Sequence, residues 1–366
     1  MINKLVVENL KHRPVRTLLS VLAIAIEVTM ILTLVGVSMG MLEDAERRAK
    51  GIGADIMIKP PGTSIISFSN GSMPEKLVEF FAKQPHVVIA TGSISHGAGP
   101  MENASGIEFD QFSRMSGGFK FLSGGPFSGD ADINIDERYA RSKSLKTGSK
   151  FKLWDREWRV AGVFEQGKLS RIVLPLKTVQ DLAGTPDKIS QVFIKLDDPA
   201  NTEQVVAAFK ANPLLQGYPV VSLDEWVSLF SVDNIPALKP FIAVVITLGM
   251  VVGTLVVFLS MYTAVLERTR EIGILKALGA SPGYVLGILM RETALLAMVG
   301  AVLGIMMTYG TQWLVNTYAG PVLTQVIVPR WWPYTSILAV GSALLGTIYP
   351  GLKAVRQDAL EALSYD

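Results

Sequence analysis

Four stretches of this chain are apolar at almost every position, and charged residues gather between them. Residues 18–42 are interrupted only by Ser20, Glu27, Thr29, Thr33 and Ser38. Residues 241–265 and 293–315 carry no charge, and 334–349 form a shorter fourth run. A helix needs ~20 apolar residues to cross the hydrocarbon core of a bilayer, with ~17 as a floor. Three runs clear that length, and the fourth does so when Trp331, Trp332 and Pro333 enter the interface. The pattern predicts membrane helices at 17–42, 239–266, 293–315 and 333–349. A large domain at 43–238 separates the first two, a polar segment at 267–292 the next two, and a short loop at 316–332 the last two. Residues 1–16 and 350–366 flank the set.

The long stretch 43–238 has a different periodicity. Alternation predicts strands at 54–59, 86–91 and 104–112, with a helix at 74–83 that buries Leu77, Phe80 and Phe81. Pro74 suits its first turn. A second unit repeats the order, with a strand at 191–196, a helix at 201–211 presenting Val205, Val206 and Phe209, and a strand at 218–222. Between them lies a β-rich insert, about 118–189, with strands at 151–154, 158–164 and 171–174. The expected fold is membrane α-helical, with four transmembrane helices and a large α+β extracytoplasmic domain inserted between helices 1 and 2.

Charge placement orients this arrangement. Lys4, Lys11, Arg13 and Arg16 precede the first run, and Arg268, Arg270, Lys276 and Arg291 lie between the second and third. Lys353 and Arg356 follow the fourth, whereas the 316–332 loop holds only Arg330. Positive residues stay on the cytoplasmic side. Both termini and the 267–292 segment are therefore expected on the cytoplasmic side, and 43–238 outside. The first run is longer than the apolar core of a secretion signal, and charged residues 43–50 follow it, so a retained helix is expected.

Composition supports a membrane part joined to a soluble one. Mean hydropathy is +0.36, yet 18% of residues are charged and the net charge is only +2. With no cysteine, disulfides and thiolate metal sites are excluded. Basic residues lie along membrane margins rather than in one patch, which argues against nucleic acid. No GxxxxGK[ST] occurs, so ATP hydrolysis is expected in a separate polypeptide. Residues 122–125 (LSGG) mimic a transporter ATPase signature, but without a phosphate-cradling loop they read as a Gly-rich turn.

Residues 267–280 (ERTREIGILKALGA) place a charged, Gly-punctuated segment beside a membrane run. Charge and periodicity alone leave two readings: a docking surface for a soluble partner, or a stop-transfer cluster with an interfacial helix. The segment resembles the R-x-x-E-I-G-x-x-K-A-x-G-A pattern of the MacB/FtsX-like permeases, membrane subunits of type VII ABC transporters and relatives of the lipoprotein-releasing permeases. Three further stretches are similar to that family. They are 8–19 (ENLKHRPVRTLL), 145–148 with 158–163 (LKTG and WRVAGV), and the ending marked by Pro350, Ala354, Asp358, Glu361, Ala362 and Leu363. Ala359 stands where the family usually has proline.

The resemblance implies an amphipathic leading helix at 1–16 and docking of an ABC ATP-binding subunit on the 267–280 segment. Glu267, Arg268, Arg270 and Glu271 would supply ion pairs there, Ile272, Ile274, Leu275 and Leu278 an apolar face, and Lys276 a further charge. Gly273 and Gly279 would allow close approach or a helix end. No cofactor is expected in this chain, ATP and Mg belonging to the partner ATPase. A homodimer or a heterodimer with a related permease is implied, and a periplasmic adaptor or substrate protein and membrane lipid remain open as further partners. Cargo could be lipoprotein, lipid, peptide or drug, moved or extracted by mechanotransmission. A cell-division-type scaffold that activates an envelope hydrolase, or a membrane-anchored enzyme, are the alternatives.

Three other features carry expectations. Gly36/Gly40, Gly249/Gly253 and Gly300/Gly304 are GxxxG pairs that favour close helix packing within a bundle or across a dimer. Glu27 is expensive to expose to lipid, so it is expected either hydrogen-bonded near Thr29, Thr33 or a neighbouring helix, or lining a cavity. His86 heads an expected strand, and Ser93, Ser95 and His96 sit in an expected Gly-rich turn; none matches a G-x-S-x-G or HExxH pattern, so the histidines read as solvated or satisfied rather than catalytic. Two apolar groups, Ile65/Ile66/Phe68 and Trp226/Leu229/Phe230, are candidates for cargo contact, or else domain core and interfacial anchors.

Overall fold

In the computed structural model the described residues are 14–63, 71–99, 102–229, 238–321 and 323–356. The leading helix up to residue 13, Ile65/Ile66/Phe68, Phe230 and the ending from 357 on lie outside them. Among the described residues four helices are long and apolar enough to cross a membrane: Pro14–Lys50, Leu238–Glu267, Pro282–Tyr318 and, with a short 3-10 turn leading in, Pro329–Arg356. An α+β domain lies in the chain between the first and second. The described residues fall into two compact units. One holds residues up to 39, 237–315 and from 325 on, and the other holds 40–236 and 316–324.

Two helices outrun their apolar runs. The first continues through the charged residues 43–50, where Asp44–Arg48 and Glu46–Lys50 pairs four residues apart support it. It stops at Gly51 and Gly53, the latter at φ 73°. The third begins at Pro282 rather than near 293, because Ser281 caps it and Pro282 suits its first turn. Charge marks where an isolated helix leaves lipid, but a paired charge does not end a helix inside a protein.

In the membrane unit small residues bring the four helices together. A Cβ at Gly304 would lie 2.7 Å from the Ala25 carbonyl oxygen, and one at Gly300 2.8 Å from the Ile24 Cβ. Gly36 meets the Val326 carbonyl in the same way. Thr29 Oγ1 donates to Gly304 O at 3.0 Å, Thr254 Oγ1 to Ser342 O at 3.1 Å, and Thr293 pairs with Thr347 at 2.8 Å. Glu27 is buried, and Ser342 Oγ donates to its two oxygens at 3.3 and 3.4 Å. Its carboxyl occupies the space a side chain at Gly253 would take, while Gly249 faces Met30. Glu27 thus takes the hydrogen-bonded arrangement, with the fourth helix rather than Thr29 or Thr33 as donor.

Among its described residues the outer unit carries twelve strands: β1 (Ile56–Ile58), β2 (Met73–Pro74), β3 (Val87–Gly99), β4 (Glu102–Ile107), β5 (Phe121–Gly124) and β6 (Asp132–Asp136). The others are β7 (Lys150–Leu153), β8 (Arg156–Phe164), β9 (Ile172–Pro175), β10 (Lys188–Ile189), β11 (Gln191–Leu196) and β12 (Val220–Ser222). Nine run in the order β12-β1-β11-β3-β4-β9-β6-β8-β5, and β7 pairs with β8 at one side. Strands β2 and β10 form a separate pair. One face packs Ile133, Ile135, Trp158, Val179 and Phe209, and the other Met57, Phe112, Phe164 and Phe193.

Local periodicity misplaced three features here. Ser93, Ser95 and His96 lie inside the long strand β3 rather than in a turn. The strand expected at 104–112 ends at Ile107, and Phe109–Ser116 is a helix closed by Gly117 at φ 73°. The LSGG residues enter β5. The β-rich insert is also no separate body, because parallel pairing of β4 with β9 makes it continuous with the flanking strands.

Two carboxylates on β6 illustrate how position sets charge. Asp132 accepts two bonds from Arg159, at 2.7 and 2.8 Å, and backbone bonds from Ser128 and Gly129. These hold its pKa down at about 2. Asp136, four residues on, is pushed the other way by burial, against the pull of Arg171.

Two outcomes follow from this packing. Gly304→Ala must displace a backbone carbonyl, so it should destabilise the purified full chain by about 1–3 kcal/mol, whereas Gly310→Ala, with nothing within 4 Å, should not. Thermal unfolding in detergent measures both. Asp132→Asn should cost the outer unit no more than about 1 kcal/mol at pH 7 and less in high salt, since Arg159 is 56% exposed and water screens the pair. The native carboxylate's contribution is present above the ordinary aspartate pKa and is lost as pH falls through about 2. The gap between native chain and variant should therefore close over that acid window in a denaturation series.

Candidate functional site

The 267–280 segment is built as a short helix between two long ones. The second apolar helix ends at Glu267, Arg268 breaks the turn at φ −110°, ψ 16°, and Thr269–Ala277 is helical again. Its end is a Schellman motif, with Gly279 N–H donating to Lys276 O at 2.9 Å and Ala280 N–H to Leu275 O at 3.0 Å. Gly279 supplies the required left-handed conformation, at φ 91°. Ser281 then caps the third helix by accepting from Tyr284 N–H.

This geometry divides the expected docking residues between two faces. Glu267, Arg270, Glu271, Ile274 and Gly279 are exposed, and Leu278 is 81% exposed. Leu275 is half-buried. Arg268, Ile272 and Gly273 turn inward with Thr269, so they are not part of an outward surface. Ile272 joins the apolar core of the membrane unit beside Val265, Val285 and Leu289. Lys276 is half-buried and donates to Val355 O at 2.8 Å, near the C-terminal end of the fourth helix, where a cation meets the helix dipole favourably.

The inward face closes on a residue the sequence reading passed over. Glu292 is fully buried in the third helix and accepts from two guanidinium groups. Arg16 of the first helix donates to Oε1 at 3.0 Å, and Arg268 of the break donates to Oε2 at 3.1 Å. Three elements thus meet on one carboxylate. Local pattern made Glu292 the edge of a polar loop. The usable signal was the presence of arginines in two other charge clusters, since a carboxylate beside an apolar run demands a partner.

The expected packing glycines are likewise engaged inside this chain. Gly249 and Gly253 face the first helix, and Gly300 and Gly304 face it from the third. Gly36 meets Val326, and Gly40, in the outer unit's share of the chain, meets the Thr324 carbonyl. These six positions therefore serve packing within one subunit rather than an exposed dimer surface.

Within the outer unit the last turns of the first helix are fixed by a second charge cluster. Arg171, just before β9, pairs with Asp44 of that helix and with Asp136 at the end of β6. All three side chains are buried, and Arg48 closes on Asp44 at 3.0 Å. Arg138 donates to Leu323 O at 2.7 Å, tying the 316–324 segment to the same unit. Trp226 packs against the core of this unit. Ser93 is fully buried, and His96 stacks edge-on to Trp154, so neither forms a nucleophile–base pair. His86 instead contacts Asp197 at an exposed position.

Comparison with known proteins places these elements in context. Residues 17–212 match the MacB-like periplasmic core domain, and 243–359 match the FtsX-like permease C-terminal domain. The chain is 29% identical over 211 residues to the uncharacterized ABC transporter permease YknZ of Bacillus subtilis, covering 54% of this chain and 50% of that protein. It is 24% identical over 389 residues to the macrolide export ATP-binding/permease protein MacB of Nitrobacter winogradskyi, covering 96% of this chain and 58% of that protein. The chain thus spans about half the length of these curated relatives. Among solved structures, the periplasmic region of MacB from Actinobacillus actinomycetemcomitans aligns with a TM-score of 0.38 and 18% identity, over 51% of this chain and 96% of that one.

Gly279→Ala should strain the helix end by about 1 kcal/mol. Hydrogen exchange at the Gly279 and Ala280 amides should then quicken by about fivefold, one kilocalorie's worth of protection. Gly287→Ala, at an open position with an ordinary backbone, should leave those amides unchanged.

Proposed function

The chain belongs to the MacB/FtsX-like permeases of type VII ABC transporters, and from that premise we propose that it is a membrane permease subunit driven by a separate ATP-binding subunit. ATP and Mg reside on that partner. The outward face of the 269–277 helix is the grip, with Arg270 and Glu271 for ion pairs and Ile274 and Leu278 for apolar contact. The observation that carries this reading is the two-sided build of that helix. Its outer face is charged and apolar without internal use, while its inner face is locked by Arg268 and Ile272 into the helices that would have to move.

Closure of the ATP-binding pair pushes on this helix, and the push passes through Glu292 to the first and third helices. The first helix is continuous from Pro14 to Lys50, and its far end is held by Arg171 and Asp136. Intramembrane polar groups such as Glu27, Ser342 and Thr254 bond to one another. This favours mechanotransmission over a conducting channel. The cargo is a lipoprotein, lipid, peptide or drug exported or extracted at the outer face of the bacterial inner membrane, with both termini cytoplasmic by the positive-inside pattern.

A second copy, identical or related, would sit on a surface other than the glycine pairs. The second helix offers one, since Phe241, Val244, Leu248, Val251, Leu255 and Leu259 form an exposed apolar stripe.

Co-purification of the tagged full chain in mild detergent tests the reading. An ABC ATP-binding protein, identified by mass spectrometry, should accompany the native chain. The double variant Arg270→Glu, Leu278→Glu should reduce its yield about tenfold, as loss of central contacts does, with unchanged thermal unfolding of the permease. Native chain without such a partner, or a variant that retains it fully, would sink the proposal.

A further inference from the structure

The outer unit holds a cavity of about 660 Å³. It lies where the end of β3, the start of β4, the short helix Glu137–Ser142 and β7 meet residues 319–323. Arg138, in that short helix, donates to Leu323 O and so holds the last of these walls in place. Leu145, Phe151, Leu153 and Pro321 make the lining mainly apolar. Sites for one small molecule span ~300–1,000 Å³, and this volume falls among them.

Two polar groups meet this lining without a hydrogen-bond partner. Tyr139 is 3% exposed and its ring stands 6.3 Å from that of Phe151. Among the described residues its hydroxyl makes no hydrogen bond, yet the oxygen is not sealed inside protein. Burial, and then the charge of Glu102, push its pKa up to about 12, so the hydroxyl keeps its proton. Glu102 is half-buried, and a Cβ on Gly99 at the cavity wall would lie 3.5 Å from its Oε2. Its side chain makes no hydrogen bond or ion pair among the described residues. Burial raises its pKa, while Lys143 and Arg171 pull the other way. Arg171 is engaged by Asp44 and Asp136, and Lys143 is exposed and pairs with no carboxylate. A carboxylate taken from water is stabilised by whatever brings it N–H groups and positive charge.

We propose that this cavity binds a small amine with an apolar body, its ammonium bonding to Glu102 and Tyr139 while the body packs on Leu145, Phe151 and Leu153. An acid of the same shape meets Glu102 as a like charge, and an alcohol leaves that charge uncompensated. The site stands apart from the coupling segment and needs no ATP-binding partner to fill it. Such an amine has two sources, the surrounding solution and the head groups of the bilayer. The second source is near, because residues 319–323 follow directly on Tyr318, where the third apolar helix ends. Trp313 and Tyr318 are exposed there, as aromatic residues are at head-group level.

Photoreactive probes sharing one diazirine-bearing hexyl chain, and ending in an amine, a carboxylate or an alcohol, test the site. They are applied to the full chain in phosphatidylcholine nanodiscs, and labelling of residues 139–153 is mapped by mass spectrometry. The amine should label about tenfold more than the carboxylate. Glu102→Gln should lower amine labelling about tenfold, the loss of one charge-assisted bond, and leave the alcohol unchanged. Lys143→Gln, at an exposed position, should raise amine labelling about threefold, because a competing cation is gone. Lys146→Gln, equally exposed but outside the cavity lining, should change nothing.

A merely structural Glu102 would lower labelling by all three probes, and a purely apolar hole would take all three alike. Either result overturns the proposal, as does Lys146→Gln acting like Lys143→Gln. Nanodiscs of phosphatidylethanolamine separate the sources. Weaker amine labelling there than in phosphatidylcholine, whose head has no N–H to donate, assigns the site to a lipid head group. Equal labelling in the two assigns it to a soluble amine.

Discussion

One carboxylate organises the membrane unit. Glu292 has no solvent exposure, and it is affordable only because Arg16 and Arg268 both reach it. Those arginines come from the start of the first helix and from the break after the second, so the pairing fixes three helices at a common level. The short helix at 269–277 inherits its orientation from this contact. With Arg268 and Ile272 held inward, Arg270, Glu271, Ile274 and Leu278 have no alternative but to face out. Small residues along the helices complete the arrangement, since Gly36, Gly40 and Gly304 let a backbone carbonyl approach that a side chain would block, while Gly249 and Gly253 leave room for Met30 and Glu27.

The outer unit uses the same device at the other end of the first helix. Arg171 is buried between Asp44 and Asp136, so the helix end is joined to the sheet by charge-assisted bonds rather than by apolar contact alone. A charge buried this way is directional, so it fixes the angle at which the helix end meets the sheet. The opposite behaviour of Asp132 and Asp136 on one strand follows from their surroundings. Asp132 faces the half-exposed Arg159 and two backbone N–H groups, whereas desolvation dominates at Asp136.

Much of this was legible in the chain itself, for reasons that are local. Bilayer-length apolar runs announce membrane helices because hydrocarbon tolerates little else. Strands β1, β7, β8, β9 and β11 and the 202–211 helix declared themselves through periods of two and 3.6. Gly279 was readable as a helix end, because only its left-handed conformation completes the Schellman bonds. Other features were misread where a local cue had a distant cause. Residues 43–50 were expected in the large domain and 282–292 in a polar segment, yet both are helical, with Asp44, Glu46, Arg48, Lys50 and Glu292 paired. Ser93 and His96 looked like turn residues beside glycines, yet β4 and β11 hold them in a strand.

By itself, then, the sequence determined the number of membrane helices, the insertion of an α+β domain after the first, and which segment carries the coupling pattern. Each depends on composition or on neighbours a few residues apart. Only the tertiary structure decided which face of that segment is free, that Glu292 is shared by Arg16 and Arg268, and that the β-rich insert completes one sheet through β4 and β9. Those contacts join residues far apart in the chain, Arg16 and Glu292 being separated by 276 positions. Local periodicity records how a segment meets solvent or lipid. It carries no record of which distant partner neutralises a buried charge.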